Sequence, residues 1–303
     1  MIVIGSRGSA LALWQARHIA GRLEALDAQT RIEIIKTTGD RIQDVPLAHV
    51  GGKGLFIKEI EEALLAGTID LAVHSMKDVP SEIPQGLVLA AIPEREEPRD
   101  ALVGASLDEL KARSKGSGFR IGTSSLRRSS QLLALNPALM VETLRGNVDT
   151  RLRKLDEGRY HAIVLAAAGL KRLGWQDRIR EMIPIEVMCP AVGQGALAIE
   201  TRDDSGAAHE LARKLDHAET HVTVEAERAL LRTLGGGCQV PVGAHAGLKD
   251  GMIRMHAIVA SPDGSRLLRG DHRGTDPAQV GLELGERLLD QGAREILRQV
   301  YAA

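Results

Sequence analysis

Arginines and hydroxyl side chains gather in this chain at two glycine-containing turns, each of which follows a short apolar run. The turns and the residues that follow them hold Arg7 and Ser9, and then Thr123, Ser124, Ser125, Arg127, Arg128, Arg145, Arg151 and Arg172. A guanidinium group presents a rigid fork of donors that binds a carboxylate or phosphate through two hydrogen bonds. The pattern therefore predicts a ligand that carries several acidic groups.

The adjacent pair Arg127-Arg128 stands at the predicted start of a helix. Cations at this end oppose the helix dipole, at a cost of about 0.3–1 kcal/mol each. A bound anion would remove the conflict. Solvated surface charge therefore explains this pair less well than it explains an isolated arginine.

Lys77 and Asp78 follow directly after an apolar strand that contains His74. Open α/β sheets bind ligands at the carboxyl ends of their strands, which favours a functional role for this pair over a simple turn ion pair. His74 and the other histidines lack the spacing of metal ligands, so no metal site is predicted. We interpret His74 as a packing residue at the strand end.

Cysteine occurs twice, as Cys189 and Cys238, without the spacing of a disulfide framework or a zinc site. We interpret Cys189 as a packed thiol. Cys238 follows three glycines, which give its thiol clearance that core packing does not need. A predicted helix ends just before it, and the negative end of a helix dipole disfavours a thiolate. A stable covalent attachment therefore suits Cys238 better than a nucleophile that turns over.

The composition argues against several classes of function. Lysine and arginine total 39 against 40 acidic residues, and the formal charge of −1 gives no global attraction to nucleic acid or an anionic membrane. Aromatic residues make up 2% of the chain, which leaves few side chains on which bases could stack. No apolar run approaches the ~20 residues of a membrane span, and no basic leader precedes the first strand. We expect a cytoplasmic protein.

The elements that must position these residues follow one plan twice. VIGSRGSALALWQA at 3–16 and FRIGTSSLRRSSQLLAL at 119–135 each predict a strand, a turn and a helix. Helices predicted at 56–66 and 148–157 each precede an apolar strand, at 69–75 and 161–170 respectively. Two similar, doubly wound α/β lobes are therefore expected, with free backbone amides at helix starts that bind anions. A ligand would lie between the lobes.

The last third of the chain predicts a small α+β domain. A helix at 222–234 precedes three predicted strands, which Asp250-Gly251 and Asp263-Gly264 turns separate into an antiparallel sheet. One long closing helix is predicted, with an apolar face from Val280 to Val300. GQGALA at 193–198 matches the dinucleotide pattern GxGxxA, but Pro190 interrupts the strand that this motif requires.

Taken together, five segments resemble the hydroxymethylbilane synthase family, also called porphobilinogen deaminases. They are HSMKDVP at 74–80, GTSSLRR at 122–128, LRGNVDTR at 144–151, AAGLKRLG at 167–174 and GGGCQVPVG at 235–243. The likeness extends from GSRGSALALWQ at 5–15 through PAVGQGALAIE at 190–200 and covers essentially the whole chain. Motifs of this length in this order do not agree by chance.

The resemblance implies a transferase of tetrapyrrole and heme biosynthesis. Such an enzyme joins four porphobilinogen molecules head to tail, releases ammonia at each step and finally releases hydroxymethylbilane. The resemblance implies a dipyrromethane cofactor held by a thioether to Cys238, with Asp78 as the catalytic aspartate. It implies porphobilinogen and the growing polypyrrole chain as binding partners, and a monomer. The many acetate and propionate groups of that chain would account for the arginines.

The resemblance also assigns the remaining site residues. The implied cofactor contacts, besides Cys238, are Ser75, Lys77, Thr123, Ser125, Arg127, Arg128 and Arg145. The implied substrate contacts are Arg7, Ser9, Arg151, Arg172 and Gln194. Lys53 and Phe56 belong to a glycine-rich stretch that is predicted to be a mobile lid. The implied domains are 1–93 with 196–213, then 101–189, and last 218–303.

Two other functions stay open on the residues alone. Strand-turn-helix lobes around a cleft also describe anion-binding proteins without catalysis, which would carry no covalent group on Cys238. A nucleic-acid-binding protein that uses its arginines would show strong salt dependence and clustered aromatic residues. The sequence lacks those aromatic residues.

Overall fold

The computed structural model of this chain describes residues 1–38, 57–235 and 240–302. It contains two compact units, which are Met1–Glu96 with Ala196–His221 and Glu97–Gly195 with Val222–Ala303. No helix within the described ranges is long and apolar enough to cross a membrane.

A five-stranded sheet forms the centre of the first unit. Its strands are β1 (Ile2–Ser6), β2 (Thr30–Ile34), β3 (Leu71–Ser75), β4 (Leu87–Ala91) and β10 (Leu197–Arg202), in the order β2-β1-β3-β10-β4. β1 is parallel to β2 and β3, whereas β10 is antiparallel to β3 and β4. The helices are α1 (Ala10–Glu24), α2 (Lys58–Leu65) and α7 (Ala207–Arg213).

The first turn of this unit forms for local reasons. Ser9 is the N-cap of α1, and its Oγ accepts a hydrogen bond from the amide of Ala12 at 3.3 Å. Ile19 and Leu23 on the inner face of α1 pack with Ile4 of β1 in the core. Ser9 is thereby fixed at the carboxyl end of β1.

The second unit contains a sheet of the same design. Its strands are β5 (Asp100–Val103), β6 (Arg120–Gly122), β7 (Met140–Glu142), β8 (Ala162–Ala166) and β9 (Glu181–Met182), in the order β7-β6-β8-β5-β9. Its helices are α3 (Leu107–Lys111), α4 (Leu126–Leu135), α5 (Val148–Asp156) and α6 (Ala167–Arg172). β6 is parallel to β7 and β8, and β5 is antiparallel to β8 and β9. The prediction of two similar α/β lobes is confirmed.

The C-terminal part is the predicted α+β domain. It consists of α8 (Ala218–Thr233), β11 (Val242–Lys249), β12 (Met252–Ala260), β13 (Leu267–Gly274), α9 (Pro277–Leu288) and α10 (Arg294–Ala302). The three strands form one antiparallel sheet. Asp250 and Gly251 both have positive φ, as a two-residue hairpin turn requires.

Two elements differ from prediction. The predicted strand 161–170 ends at Ala166 and continues as α6, because its alanine-rich end favours a helix. The single closing helix is instead divided by a π-helical turn at Leu289–Ala293, where Gly292 has a φ of 106° that only glycine adopts readily. The boundaries of the three domains stay a prediction.

Candidate active site

The carboxyl end of β3 carries Asp78 at the end of a short 3₁₀ turn. Met76 and Val79 are buried and hold this turn in place. The amide of Met76 donates to the carbonyl of Ala196 at 3.0 Å, and the amide of Val79 donates to the carbonyl of Met76 at 3.1 Å. Lys77 is half-buried and Asp78 is exposed. The aspartate thus lies just past a strand end, as predicted.

A cavity of about 80 Å³ lies beside this turn. Its polar lining residues are Arg7, Ser9, Gln15, His74, Ser75 and Asp78, and its apolar lining residues are Leu11, Ala12, Ile57, Ile60 and Val73. The Gln15 side chain donates to the Ser75 hydroxyl at 2.8 Å and so fixes its position. Arg7, Ser9 and Ser75, three residues that the resemblance selected, therefore share one cavity with Asp78.

The guanidinium groups of Arg127 and Arg128 converge on the carboxylate of Asp100. Arg127 Nη1 lies 2.7 Å from Asp100 Oδ2, and Arg128 Nη2 lies 2.7 Å from Asp100 Oδ1. All three side chains are buried. Burial acts to raise the pKa of Asp100, but the two guanidinium groups outweigh burial and hold this pKa at about 2. The protein itself thus supplies an anion next to the start of α4.

Charge balance leaves this cluster positive. Arg127 and Arg128 contribute two positive charges and Asp100 one negative charge, so one positive charge remains (2 − 1) beside the positive end of the helix dipole. The sequence predicted a bound anion here because two cations lie at the start of a helix. After the charge of Asp100 is counted, one uncompensated positive charge still favours such an anion.

Gln194 and Arg172 both hold the turn at 193–195, and Gln194 connects this turn to the cluster of Arg127, Arg128 and Asp100. The Gln194 amide donates to Asp100 Oδ1 at 3.1 Å and to the carbonyl of Pro98 at 2.7 Å. Arg172 Nη2 donates to the carbonyl of Gly195 at 2.6 Å. Both side chains are buried. These two predicted substrate contacts thus also hold the backbone of the turn.

β10 follows that turn where the dinucleotide motif would need a helix, which agrees with our rejection of that motif.

Thr123 and Ser125 shape the start of α4. Ser125 is the N-cap, and its hydroxyl accepts from the amide of Arg128 at 3.4 Å. The amide of Ser125 in turn donates to the Thr123 hydroxyl at 3.2 Å. Two of the implied cofactor contacts therefore also fix the backbone of the arginine pair.

Arg145 lies on the segment that joins β7 to α5, and Arg151 lies in the first half of α5. Arg151 Nε donates to the carbonyl of Gly146 at 2.7 Å, and Lys154 Nζ donates to the carbonyl of Arg145 at 3.0 Å. Both arginines are half-buried. They belong to the same unit as the Arg127-Arg128 pair, and their ligand contacts stay a prediction.

Three predicted site residues, Cys238, Lys53 and Phe56, lie outside the described residues. Cys189 is fully buried, and burial raises the pKa of its thiol. The interpretation of Cys189 as a packed thiol is confirmed. In the part of the chain that the structure describes, no group of three or more histidine, cysteine or acidic side chains is suited to hold a metal ion.

Sequence reasoning missed Asp100, Glu200 and Glu61. The signal for the first two was an acidic residue inside an apolar strand, DALV for β5 and LAIETR for β10, where a charge needs a partner. The interpretation of His74 as a packing residue was incomplete. His74 Nε2 lies 3.0 Å from Glu200 Oε2, and both side chains are buried.

Comparison with known proteins identifies strong relatives over the whole chain. Residues 2–210 match the family model "Porphobilinogen deaminase, dipyromethane cofactor binding domain", and residues 221–290 match "Porphobilinogen deaminase, C-terminal domain". A porphobilinogen deaminase from Syntrophobacter fumaroxidans is 53% identical over 311 aligned positions, which cover 100% of this chain and 99% of the relative.

Solved structures give weaker matches. A TRAP periplasmic solute binding protein from Desulfovibrio salexigens is 12% identical, with a TM-score of 0.43 over 72% of this chain and 73% of that protein. A periplasmic substrate-binding protein of an ABC transporter from Coxiella burnetii is also 12% identical, with a TM-score of 0.41 over 75% of this chain and 97% of that one.

Proposed function

This chain belongs to the porphobilinogen deaminase family, and we propose that Asp78 and the arginine cluster around Asp100 carry out that family's reaction in it. The activity is that of a hydroxymethylbilane synthase of tetrapyrrole biosynthesis. Porphobilinogen is the substrate, and dipyrromethane is the cofactor. When bound, this cofactor supplies the ring carbon to which the first substrate is joined.

Asp78 is the proposed catalytic residue. Loss of ammonia from the aminomethyl group of porphobilinogen leaves a positively charged azafulvenium ring. A carboxylate stabilises such a charge, and it also accepts hydrogen bonds from pyrrole N–H groups. The observation that carries this assignment is that Asp78 shares a cavity with Arg7, Ser9 and Ser75. Arg7 would bind an acid group of the substrate while Asp78 faces its ring.

The arginine cluster is the proposed binding site for the acid groups of the cofactor. Its support is the remaining positive charge of Arg127 and Arg128 after Asp100 has neutralised one of them. Lys77, Thr123, Ser125 and Arg145 are proposed to contribute further contacts to the cofactor. Arg151, Arg172 and Gln194 are proposed to contact the substrate chain.

Cys238 is the proposed attachment residue, and the segment with Lys53 and Phe56 is the proposed lid. We further propose a cytoplasmic monomer that binds neither nucleic acid nor membranes. The formal charge of −1 and the scarcity of aromatic residues support the absence of nucleic-acid and membrane binding. Light scattering coupled to size exclusion would show a mass near 32.6 kDa, and a mass twice as large would contradict the monomer.

The attachment is tested by intact-mass measurement of the purified protein. We expect a two-pyrrole adduct on the wild-type chain and an unmodified mass for Cys238→Ser, because a hydroxyl does not form the thioether. Cys189→Ser is the matched control and should keep the adduct, since this thiol is buried. An active wild-type protein without any adduct would refute the attachment, whereas an inactive protein without an adduct would leave the anion-binding alternative.

The role of Asp78 is tested by Asp78→Asn. Asparagine keeps the shape of the side chain but cannot stabilise a cation as a carboxylate does, so we expect the adduct to remain while kcat falls by about 10²-fold or more. Steady-state turnover of porphobilinogen and intact mass measure the two properties separately. A wild-type kcat in this variant would exclude the proposed role.

A further inference from the structure

A buried histidine and two glutamates to which no role has been given lie next to the cavity of Asp78. His74 is one of the lining residues of that cavity, and its Nε2 lies 3.0 Å from Glu200 Oε2. Their side chains are 5% and 1% exposed, respectively. His74 is on β3 and Glu200 on β10, which are neighbouring antiparallel strands. An imidazole and a carboxylate are therefore enclosed together directly behind the reaction cavity.

Glu61 of α2 is the third member of this group. α2 packs against β3 and β10, the strands of His74 and Glu200. The charges of both Glu200 and His74 act on Glu61. One carboxyl oxygen of Glu61 and one of Glu200, Oε1 in each case, are enclosed without a hydrogen-bond partner among the described residues. An enclosed carboxylate oxygen without a donor is unfavourable, whereas a carboxylic acid carries its own proton. The surroundings of Glu61 and Glu200 therefore favour a proton bound within the cluster of His74, Glu200 and Glu61.

Electrostatics support the same conclusion. The pKa of Glu61 is raised to about 7 as the net result of several causes: burial raises it most, Glu200 and, less, Glu62 of the same helix raise it too, and His74 lowers it. The other charged groups of the cavity are Arg7 and Asp78, and Gln15 of α1 is neutral. The negative charge of Glu200 disfavours ionisation of Glu61, because like charges repel. At neutral pH, Glu61 therefore exchanges a proton readily.

The proposed reaction needs an acceptor for one proton in every addition. The C–N bond of the aminomethyl group, which is protonated to an ammonium at neutral pH, breaks, and its electron pair leaves with ammonia. A ring carbon of the growing chain then donates an electron pair to form the C–C bond, and its C–H bond gives up a proton while the electrons return to the ring. Atoms and charge balance only when that proton is transferred to a base.

We propose that His74, Glu200 and Glu61 form this base, with His74 receiving the proton at the cavity and Glu61 holding it. Glu200 is the positioning residue, because its hydrogen bond orients the imidazole. This inference rests on the proposed function, since it places the cluster at the cavity of Asp78. Ammonia or bulk water as the acceptor is the alternative.

The decisive measurement is the pH dependence of kcat and KM for porphobilinogen, made on protein whose adduct has been verified by mass. An acceptor works only in its deprotonated form, so wild-type kcat should fall as the pH drops through about 7. In Glu61→Gln, which cannot take up a proton, we expect kcat to fall by about 10-fold or more, with the fall near pH 7 absent and KM nearly unchanged. His74→Gln should show the same loss.

Glu62→Gln is the matched control, because this exposed neighbour on α2 pairs only weakly with Lys58, at 3.9 Å. It should keep the kcat and KM of wild type and also the fall in kcat, displaced only to a slightly lower pH because Glu62 adds to the pKa of Glu61. A Glu61→Gln enzyme with wild-type kcat and the same fall near pH 7 would overturn the inference. That outcome would leave the roles of Cys238 and Asp78 untouched, because the adduct and the Asp78→Asn effect are measured separately.

A second readout separates proton transfer from a structural role. Infrared spectra of the wild type should show a protonated carboxyl group that disappears as the pH rises through about 7, and Glu61→Gln should lack this signal.

The folded-state pKa of Glu61 lies above its ordinary 4.5, so ionisation of Glu61 reduces stability as the pH rises from 4.5 to about 7. Glu61→Gln should therefore be at least as stable as wild type above pH 7. Absence of the titrating signal from wild type would contradict the proposal.

Discussion

Asp100 is fully buried and binds two guanidinium groups, so this one carboxylate compensates the buried charges of Arg127 and Arg128. Removing one partner of a buried ion pair costs about 3–5 kcal/mol, because the other charge stays buried without compensation. The two arginines were predictable from the sequence, since they stand side by side at a helix start. Their partner was not, because Asp100 is 27 positions from Arg127 and only the folded sheet brings it to them.

We predict that Asp100→Asn lowers the free energy of unfolding by about 3–5 kcal/mol at pH 7, as measured by urea denaturation. The folded-state pKa of Asp100, about 2, lies below its ordinary 3.8. The stability that ionised Asp100 contributes is therefore present above pH 3.8 and is lost as the pH falls toward 2. The difference in free energy of unfolding between Asp100→Asn and wild type should therefore become smaller below about pH 4. Asp108→Asn is the control: its side chain is 94% exposed, and we expect a change of at most ~1 kcal/mol. Equal effects of both substitutions would contradict this account.

At the scale of elements, α9 lies against α8 at backbone contact distance. A Cβ atom at Gly281 would lie 2.3 Å from the carbonyl oxygen of Ala226, and one at Gly285 would lie 2.7 Å from Thr233 Cβ. Only glycine fits at these two positions, which are four residues apart on one face of α9. Because α8 ends at Thr233, α9 supports the helix that leads to the segment of Cys238.

We predict that Gly281→Ala destabilises the protein by about 1–3 kcal/mol, because the added methyl group forces the two helices apart. Gly21→Ala is the matched control, since a methyl group added to Gly21 of α1 would have no described atom within 4 Å. This control should instead gain about 0.5–1 kcal/mol. Thermal unfolding midpoints measure both changes, and intact mass reports whether cofactor attachment is impaired in Gly281→Ala. A gain in stability from both variants would argue against tight helix packing.

Most element positions were predictable because their signals are local, as with the Ser9 cap and the Asp250-Gly251 turn. The break at Gly292 was not, because the apolar residues on either side of it keep a helical period. The start of α6 at Ala167 was missed for a related reason, since a short apolar run satisfies a strand and a helix equally well.

At the scale of the whole molecule, both five-stranded sheets contain one antiparallel strand with strands on either side of it. In the first unit this strand, β10, pairs Ile199 with Val73, 126 positions apart (199 − 73). Local patterns cannot predict a pairing over such a separation. The return of residues 196–213 to the first lobe was expected only from the family resemblance. The His74 and Glu200 pair was missed for the same reason, because it depends on that pairing.

The position of β10 in the chain has a consequence during synthesis. β4 ends at Ala91 and has β10 as its neighbour in the sheet, but β10 begins at Leu197, 106 residues later (197 − 91). At roughly 5–20 residues per second, the ribosome takes about 5–20 s to make this interval. Throughout that time the edge of β3 stays open on the nascent chain, and open strand edges promote aggregation.

We therefore expect translation rate to influence the yield of this enzyme. Clusters of slow codons placed within residues 97–195 should lower the fraction of newly made protein that remains in the supernatant, because they prolong the exposure of β3. The same clusters placed in α9 and α10 should not, since β10 has left the ribosome by then. Pulse-labelling followed by centrifugation measures this fraction, and equal losses from both placements would show that the open edge is harmless. If only the first placement lowers the yield, the gene's codon usage is under selection for timing as well as for the protein it encodes.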